Sequence, residues 1–160
     1  MDRLTKEQRS RNMASVRGKD TKPELRVRSA VHRNGFRYSL HCKDLPGKPD
    51  LALPKYNTVI FVHGCFWHGH DCSKGKRPAT NKGFWQEKLD SNVERDRRNQ
   101  AALAESGWRV LVVWECEIEE GIDRAVGYLQ ERRSGMAEHL RETAQFSRPA
   151  IRSRKPSNPG

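Results

Sequence analysis

The sequence predicts a mixed α/β domain, and three observations predict it. Two uninterrupted apolar runs, "TVIFV" (58–62) and "WRVLVVWE" (108–115), have the length and composition of buried strands. Between them lies a long helical pattern, a crossover that allows the two strands to pair in parallel. The chain has 160 residues, 34% hydrophobic and 32% charged, which suits one domain with a modest core and a busy surface.

The elements follow in chain order. Thr5 to about Val16 reads as a helix, opened by the capping-box pattern "TKEQ". Its faces are so polar that residues 1–20 read as an arm that orders on a partner. The domain proper, 21–135, starts with "TKPELRVRSAVHRNG". Thr21 caps a helix, Pro23 sits in the first turn where its missing N–H costs little, and Gly35 stops it. Leu25, Ala30 and Val31 supply its apolar face. "FRYSLH" alternates as a strand and "KDLPGKPD" is a turn-rich loop. "LAL" and "TVIFV" are further strands, the second central. After the basic loop "CSKGKRPATNKG", a long helix runs from Phe84 to Ser106. Trp85, Leu89 and Val93 fall on one of its faces, and Gly107 ends it. "IDRAVGYLQERR" is a last helix, and 136–160 reads as a basic, disordered tail.

Charge narrows the partner. Lys and Arg number 31 against 20 acidic residues, a formal net charge of +11. Such an excess makes a polyanion the expected ligand, because phosphate contacts release counterions. No apolar run approaches a membrane span and the N-terminus has no apolar signal core, so the expectation is a cytoplasmic protein with no membrane partner. Four cysteines among histidines then point to metal or catalysis rather than disulfides.

Five groups of residues can carry chemistry. Asp50 precedes a strand, as the acid of the PD-(D/E)xK nucleases does, and a carboxylate there can hold Mg²⁺; a plain turn aspartate is the alternative. Where Glu-x-Lys should follow, this chain has Phe61, Val62 and His63. Cys65, His70, Cys72 and Cys116 make a closed tetrahedral zinc set, with inert thiols as the other reading. His63 and His68 remain free for proton transfer or for hydrogen bonds within the loop. Phe66, Trp67 and Trp85 are candidate wedges for duplex DNA, whereas Trp108 and Trp114 belong to a core strand. In "NVERDRRN", Asp96 either joins an exposed charged face or orients a histidine.

Together the runs "RSRNMASVRGKDTKPE", "LPGKPD", "VIFVHGCFWHGHDC", "PATNKGFWQEKLDSNVERDRRN" and "GWRVLVVWEC", over about Arg9 to Cys116, resemble the very-short-patch mismatch repair (Vsr) endonuclease family. The resemblance implies a restriction-endonuclease-like fold with a structural zinc. It implies an Mg²⁺-dependent enzyme that nicks duplex DNA 5′ to the thymine of a T·G mismatch, the lesion left by deamination of 5-methylcytosine. Asp50, with the backbone carbonyl of Val62, would bind two Mg²⁺ ions. His68 would be the general base, with Asp96 orienting it and His63 and Glu24 supporting the site. Cys65, His70, Cys72 and Cys116 would hold one Zn²⁺. Phe66, Trp67 and Trp85 would intercalate, and Met13 on the arm, 1–20, would enter from the minor groove. A cytosine-5 methyltransferase, a repair polymerase and a ligase would be functional partners of a nucleoid-associated monomer. Gly69 and Asp71 stand where relatives can carry further histidines. Two other readings are a restriction-type nuclease cutting matched sites and a zinc-stabilised DNA-binding module without catalysis.

Overall fold

The run 59–62 is apolar on both faces because it lies in an internal strand whose two faces are both packed in hydrophobic cores. The computed structural model describes residues 5–15 and 19–146. Within them β1 (Ser39–Leu40), β2 (Leu51–Leu53), β3 (Thr58–His63) and β4 (Arg109–Trp114) form one mixed sheet in that order. β1, β2 and β3 pair antiparallel, and β3 and β4 pair in parallel with Val62 opposite Val113 and His63 opposite Trp114. The parallel pairing is the one expected from the crossover.

Helices cover both faces of the sheet. α2 (Lys22–Arg33) and α4 (Ile118–Phe146) pack on one, where Val27, Val31, Ile60, Val113, Ile122 and Leu129 form the larger core. On the other face Ala52, Val59 and Phe61 meet Leu103 of α3 (Lys82–Glu105), with Trp108 beside them as expected. α1 (Lys6–Ser15) has the predicted capping box. The Thr5 N–H donates to Gln8 Oε1 at 2.8 Å and the Gln8 N–H to Thr5 Oγ1 at 3.2 Å. Thr21 caps α2 by accepting from the Glu24 N–H. The side chain of Met13 and residues 147–160 lie outside the described residues.

Four expectations change. Leu25 is 49% exposed, and Val27 takes its place at i, i+3, i+4 spacing with Ala30 and Val31. "FRYSLH" pairs only over Ser39–Leu40, because Phe36 turns into the core and His41 adopts φ +46°, which ends the strand. On α3 the inward line is Leu89, Asn92 and Leu103 rather than a stripe ending at Val93, which is 39% exposed. The helix turns polar residues inward because it borders a polar cleft. Finally, α4 continues to Phe146, so the first part of the segment expected to be a disordered tail is helical.

Two glycines on α4 should respond in opposite ways to alanine. A Cβ at Gly121 would lie 2.7 Å from Val113 Cγ1, whereas at Gly127 it would meet nothing within 4 Å. Gly121→Ala is expected to lower stability by ~1–3 kcal/mol through overpacking, and Gly127→Ala to raise it by ~0.5–1 kcal/mol through helix propensity. Urea unfolding of both variants measures the sign.

Candidate active site

Asp50 stands just before β2, and its Oδ2 accepts the Val62 N–H of β3 at 2.7 Å. Glu24 of α2, His63 at the end of β3, His68 of the following loop and Asp96 of α3 line the same cleft. Residues far apart in the chain therefore meet at the open end of the parallel pair, where α/β sheets place their sites. The cleft rim also carries Lys19, Lys43, Lys48 and Arg95, which suits an anionic ligand.

The electrostatics divide these groups. Burial, with a further push from the charge of Glu24, raises the Asp50 carboxyl to about 6 against the hydrogen bond from Val62. A partly desolvated carboxylate beside a second one is a fit donor set for a hard cation. Burial also lowers His63 to about 3, helped by repulsion from His68, so His63 is uncharged at neutral pH. Its ring stacks parallel on His68 with centroids 3.7 Å apart, and its Nδ1 has no hydrogen-bond partner among the described residues. His68 Nδ1 lies 2.5 Å from Asp96 Oδ2. With the carboxylate accepting, Nδ1 carries the proton and Nε2 is left as a base. Asp96 thus pairs with a histidine while its neighbours Glu94 and Arg97 form an exposed ion pair.

The loop after β3 closes on a second donor set. The ligand atoms of Cys65, His70, Cys72 and Cys116 all lie within 4.8 Å of one another, and all four cysteines of the chain are free. Metal–sulfur bonds of ~2.3 Å and metal–nitrogen bonds of ~2.0 Å fit such a cluster. Burial pushes the Cys65 thiol up to about 12. Cys72, despite its own desolvation, is drawn down to about 7 by hydrogen bonds with His70 and Cys65. Thiols sharing protons in this way suit a thiophilic ion that displaces them. The loop's backbone wraps the set: the His70 N–H donates to the Cys65 carbonyl and the Cys65 N–H to Glu115 Oε1. A Cβ at Gly75 would collide with the His70 carbonyl, so only glycine allows the chain to pass there.

Aromatic rings stand beside the cleft, where Phe66 and Trp67 adjoin Glu24, His63 and His68. Phe66, Trp67 and Trp85 form one cluster with ring centroids 5.0, 5.3 and 6.1 Å apart. Asn92 fixes the loop behind them by donating to the Trp67 carbonyl at 3.1 Å. Phe84, 56% exposed, extends the cluster towards solvent. Trp114 was expected to be core alone, but it stacks on His70 at 4.1 Å and meets His63 edge-on at 5.1 Å, joining the two sites. Its position beside His63 in the parallel register was the available signal. Arg28 and His41, also missed, adjoin Glu24, the first as an i, i+4 neighbour on α2 and the second across a contact that no local pattern marks.

Comparisons with known proteins identify the relatives of this chain. A family model described as DNA mismatch endonuclease Vsr matches residues 1–74. The type II nicking enzyme V.XorIIP of Xanthomonas oryzae pv. oryzae is 51% identical over 119 residues, covering 74% of this chain and 88% of that protein. The DNA mismatch endonuclease Vsr of Escherichia coli is 48% identical over 110 residues, 69% of this chain and 70% of its own. The type II nicking enzyme V.NaeI of Lentzea aerocolonigenes is 40% identical over 133 residues, with coverage of 79% and 80%.

The Asp50 shift has a sign that can be measured. Its folded pKa, about 6, lies above the ordinary 3.8, so the folded protein holds that proton more tightly than the unfolded chain. The associated stability is present at low pH and lost as pH rises from ~4 through ~6. In Mg²⁺-free buffer Asp50→Asn is therefore expected to stabilise the protein near neutral pH by on the order of 1–3 kcal/mol, with a smaller gain near pH ~5. Thermal melts at the two pH values test this; a lower Tm at neutral pH would contradict it.

Proposed function

The chain belongs to the Vsr family of DNA mismatch endonucleases, and from that premise we propose that it nicks one strand of duplex DNA 5′ to the thymine of a T·G mismatch arising from 5-methylcytosine deamination. The observation that carries this reading is the convergence of Asp50, Glu24, His63, His68 and Asp96 on one cleft beside a half-buried aromatic cluster.

The chemistry is hydrolysis of a phosphodiester. His68, its Nδ1–H held by Asp96, takes a proton from the attacking water at Nε2. The water oxygen bonds to phosphorus and the P–O3′ bond breaks; the departing O3′ takes a proton from solvent, leaving a 3′-hydroxyl and a 5′-phosphate. His63 stays uncharged beneath the His68 ring, so it presents no ionic repulsion of its own as His68 becomes charged. Asp50 and the Val62 carbonyl are the groups that would hold Mg²⁺, with Glu24 beside them. Bound there, Mg²⁺ supplies positive charge to the phosphate oxygens. The fold on this reading is a restriction-endonuclease-like variant in which histidines replace the Glu-x-Lys pair.

Phe66, Trp67 and Trp85 act as the wedge that opens the stack at the mismatch, and Met13 meets the minor groove from the arm. The excess of basic residues supplies phosphate contacts. Cys65, His70, Cys72 and Cys116 hold a structural Zn²⁺ that keeps the wedge and the base on one rigid loop. A single nick suits a monomer, and the lesion makes a cytosine-5 methyltransferase its functional partner, with a polymerase and ligase completing repair. Among the described residues no helix is long and apolar enough to cross a membrane, in keeping with a nucleoid-associated enzyme of the cytoplasm.

End-labelled duplexes carrying a T·G pair in varied flanks, beside matched C·G and T·A controls, test the function. A nick on the thymine strand alone is expected in Mg²⁺, with Asp50→Ala cutting at least ~10³-fold more slowly while still binding. Cutting of matched duplex on both strands would favour a restriction enzyme, and binding with no cut would leave a DNA-binding module. For the second metal, elemental analysis should find about one zinc per chain. Cys116→Ser should lose that zinc and melt earlier; full stability and an unchanged metal content would remove the zinc assignment.

A further inference from the structure

Three clusters of metal-ligating side chains occur among the described residues, and two of them belong to the site above. The third, Asp20, Glu24 and His41, already surrounds a cation of the protein itself. Arg28 Nη2 lies 2.7 Å from Asp20 Oδ1, 3.0 Å from Glu24 Oε2 and 2.9 Å from His41 Nε2. The guanidinium stands among the donors that a metal would need, so the cluster is an arginine-centred network. Nη2 has two hydrogens, enough for the two carboxylates, with His41 Nε2 as a third close neighbour.

The network has a direction. Glu24 is 3% exposed, and its Oε2 takes a second hydrogen bond from the Asp20 main-chain N–H at 2.9 Å. Two donors on one oxygen fix the carboxylate and leave Oε1 outside the network. Asp20 is the residue by which the N-terminal arm enters α2, and it holds φ +56°, a conformation costly for a non-glycine residue. His41 donates its main-chain N–H to the Asp50 carbonyl at 3.2 Å. Arg28 therefore joins the end of the arm, the buried glutamate and the segment that carries Asp50. No other guanidinium or ammonium is bonded to Glu24 among the described residues.

We infer that Arg28, with Asp20 and His41, is a positioning residue that fixes the Glu24 carboxylate beside Asp50 in the cleft. The inference rests on the nuclease reading above. Arg28 touches neither the cleft's base nor the wedge; its effect passes through Glu24.

The test uses the full chain and a T·G duplex under single-turnover conditions. Arg28→Ala is expected to slow nicking roughly 10–100-fold and to raise the Mg²⁺ concentration for half-maximal rate, with duplex affinity in Ca²⁺ unchanged within about twofold. Hydrogen exchange at the Asp20 amide should quicken at least about tenfold as its bond to Glu24 loosens. In a Glu24→Ala background the same substitution should have no further effect on rate, and Arg28→Lys should recover part of it. Should Arg28→Ala fail to fold, Asp20→Asn, which keeps volume and the main-chain donor, replaces it in the same measurements. An equal rate loss in the Glu24→Ala background, a loss confined to affinity, or faster exchange with an unchanged rate overturns the inference. A parent chain that binds but never nicks the T·G duplex defeats the nuclease reading and the inference with it, whereas a nicking parent indifferent to Arg28 defeats the inference alone.

Discussion

The parallel pairing of β3 with β4 is the constraint on which the rest depends. Its register sets His63 opposite Trp114, so the chain leaves both strands at the same edge of the sheet. Two residues beyond each partner stand Cys65 and Cys116, and the two arrive within ligand distance of one another. A slip of one residue would turn every side chain of β3 to the other face. It would send His63 away from the cleft and separate the cysteines together. The Cys65 N–H bond to Glu115 Oε1 is a further tie across the same edge, spanning fifty residues of sequence. One backbone register therefore positions both donor sets.

The cleft is built against the local preferences of the chain. Asp20, His41 and Lys48, none of them glycine, hold positive φ around it. Each such residue costs on the order of 1 kcal/mol and persists only where its surroundings over-determine it. The surroundings here are the core of α2 and α4 on one sheet face and the hydrogen bonds of Asp20 and His41 on the other side of the cleft. Burial works against ionisation at Asp50 and His63 alike, but with opposite consequences. His63 is left uncharged at neutral pH, while the Asp50 carboxyl keeps its proton to higher pH than an exposed one.

What was legible in the sequence is what local chemistry decides. Thr5 with Gln8, Thr21 with Glu24, and the stop at Gly35 are short-range hydrogen bonds and backbone angles, and the helices they bound lie where expected. The cleft and ligand residues were legible through a resemblance rather than through spacing, and the structure brings Asp50, His63, His68, Glu24 and Asp96 together. Helix faces were less legible. Periodicity favoured Val93 as an inward residue, yet α3 borders a polar cleft and faces it with Asn92 and Asp96. Arg28 escaped because an i, i+4 pair with Glu24 reads as an ordinary helix surface, and His41 and Trp114 because their partners are distant in sequence. No periodicity marks a guanidinium that binds across thirteen residues to His41.

Trp67 and His68 are consecutive, and this adjacency constrains any account of how recognition reaches the cut. Trp67 packs with Phe66 and Trp85, while His68 stacks on His63 and pairs with Asp96. Successive residues thus serve opposite sides of one loop. Asn92 pins the Trp67 carbonyl from α3, the helix that also supplies Asp96, so wedge and base share one support. On the nuclease reading, a force on the aromatic cluster cannot displace Trp67 without straining the His68–Asp96 pair. A duplex that accepts the wedge keeps the base aligned, and one that refuses it disturbs the base through a single peptide unit. Discrimination would then fall on the rate of cutting as well as on binding, and a metal held by the four-ligand cluster would stiffen the loop that transmits it.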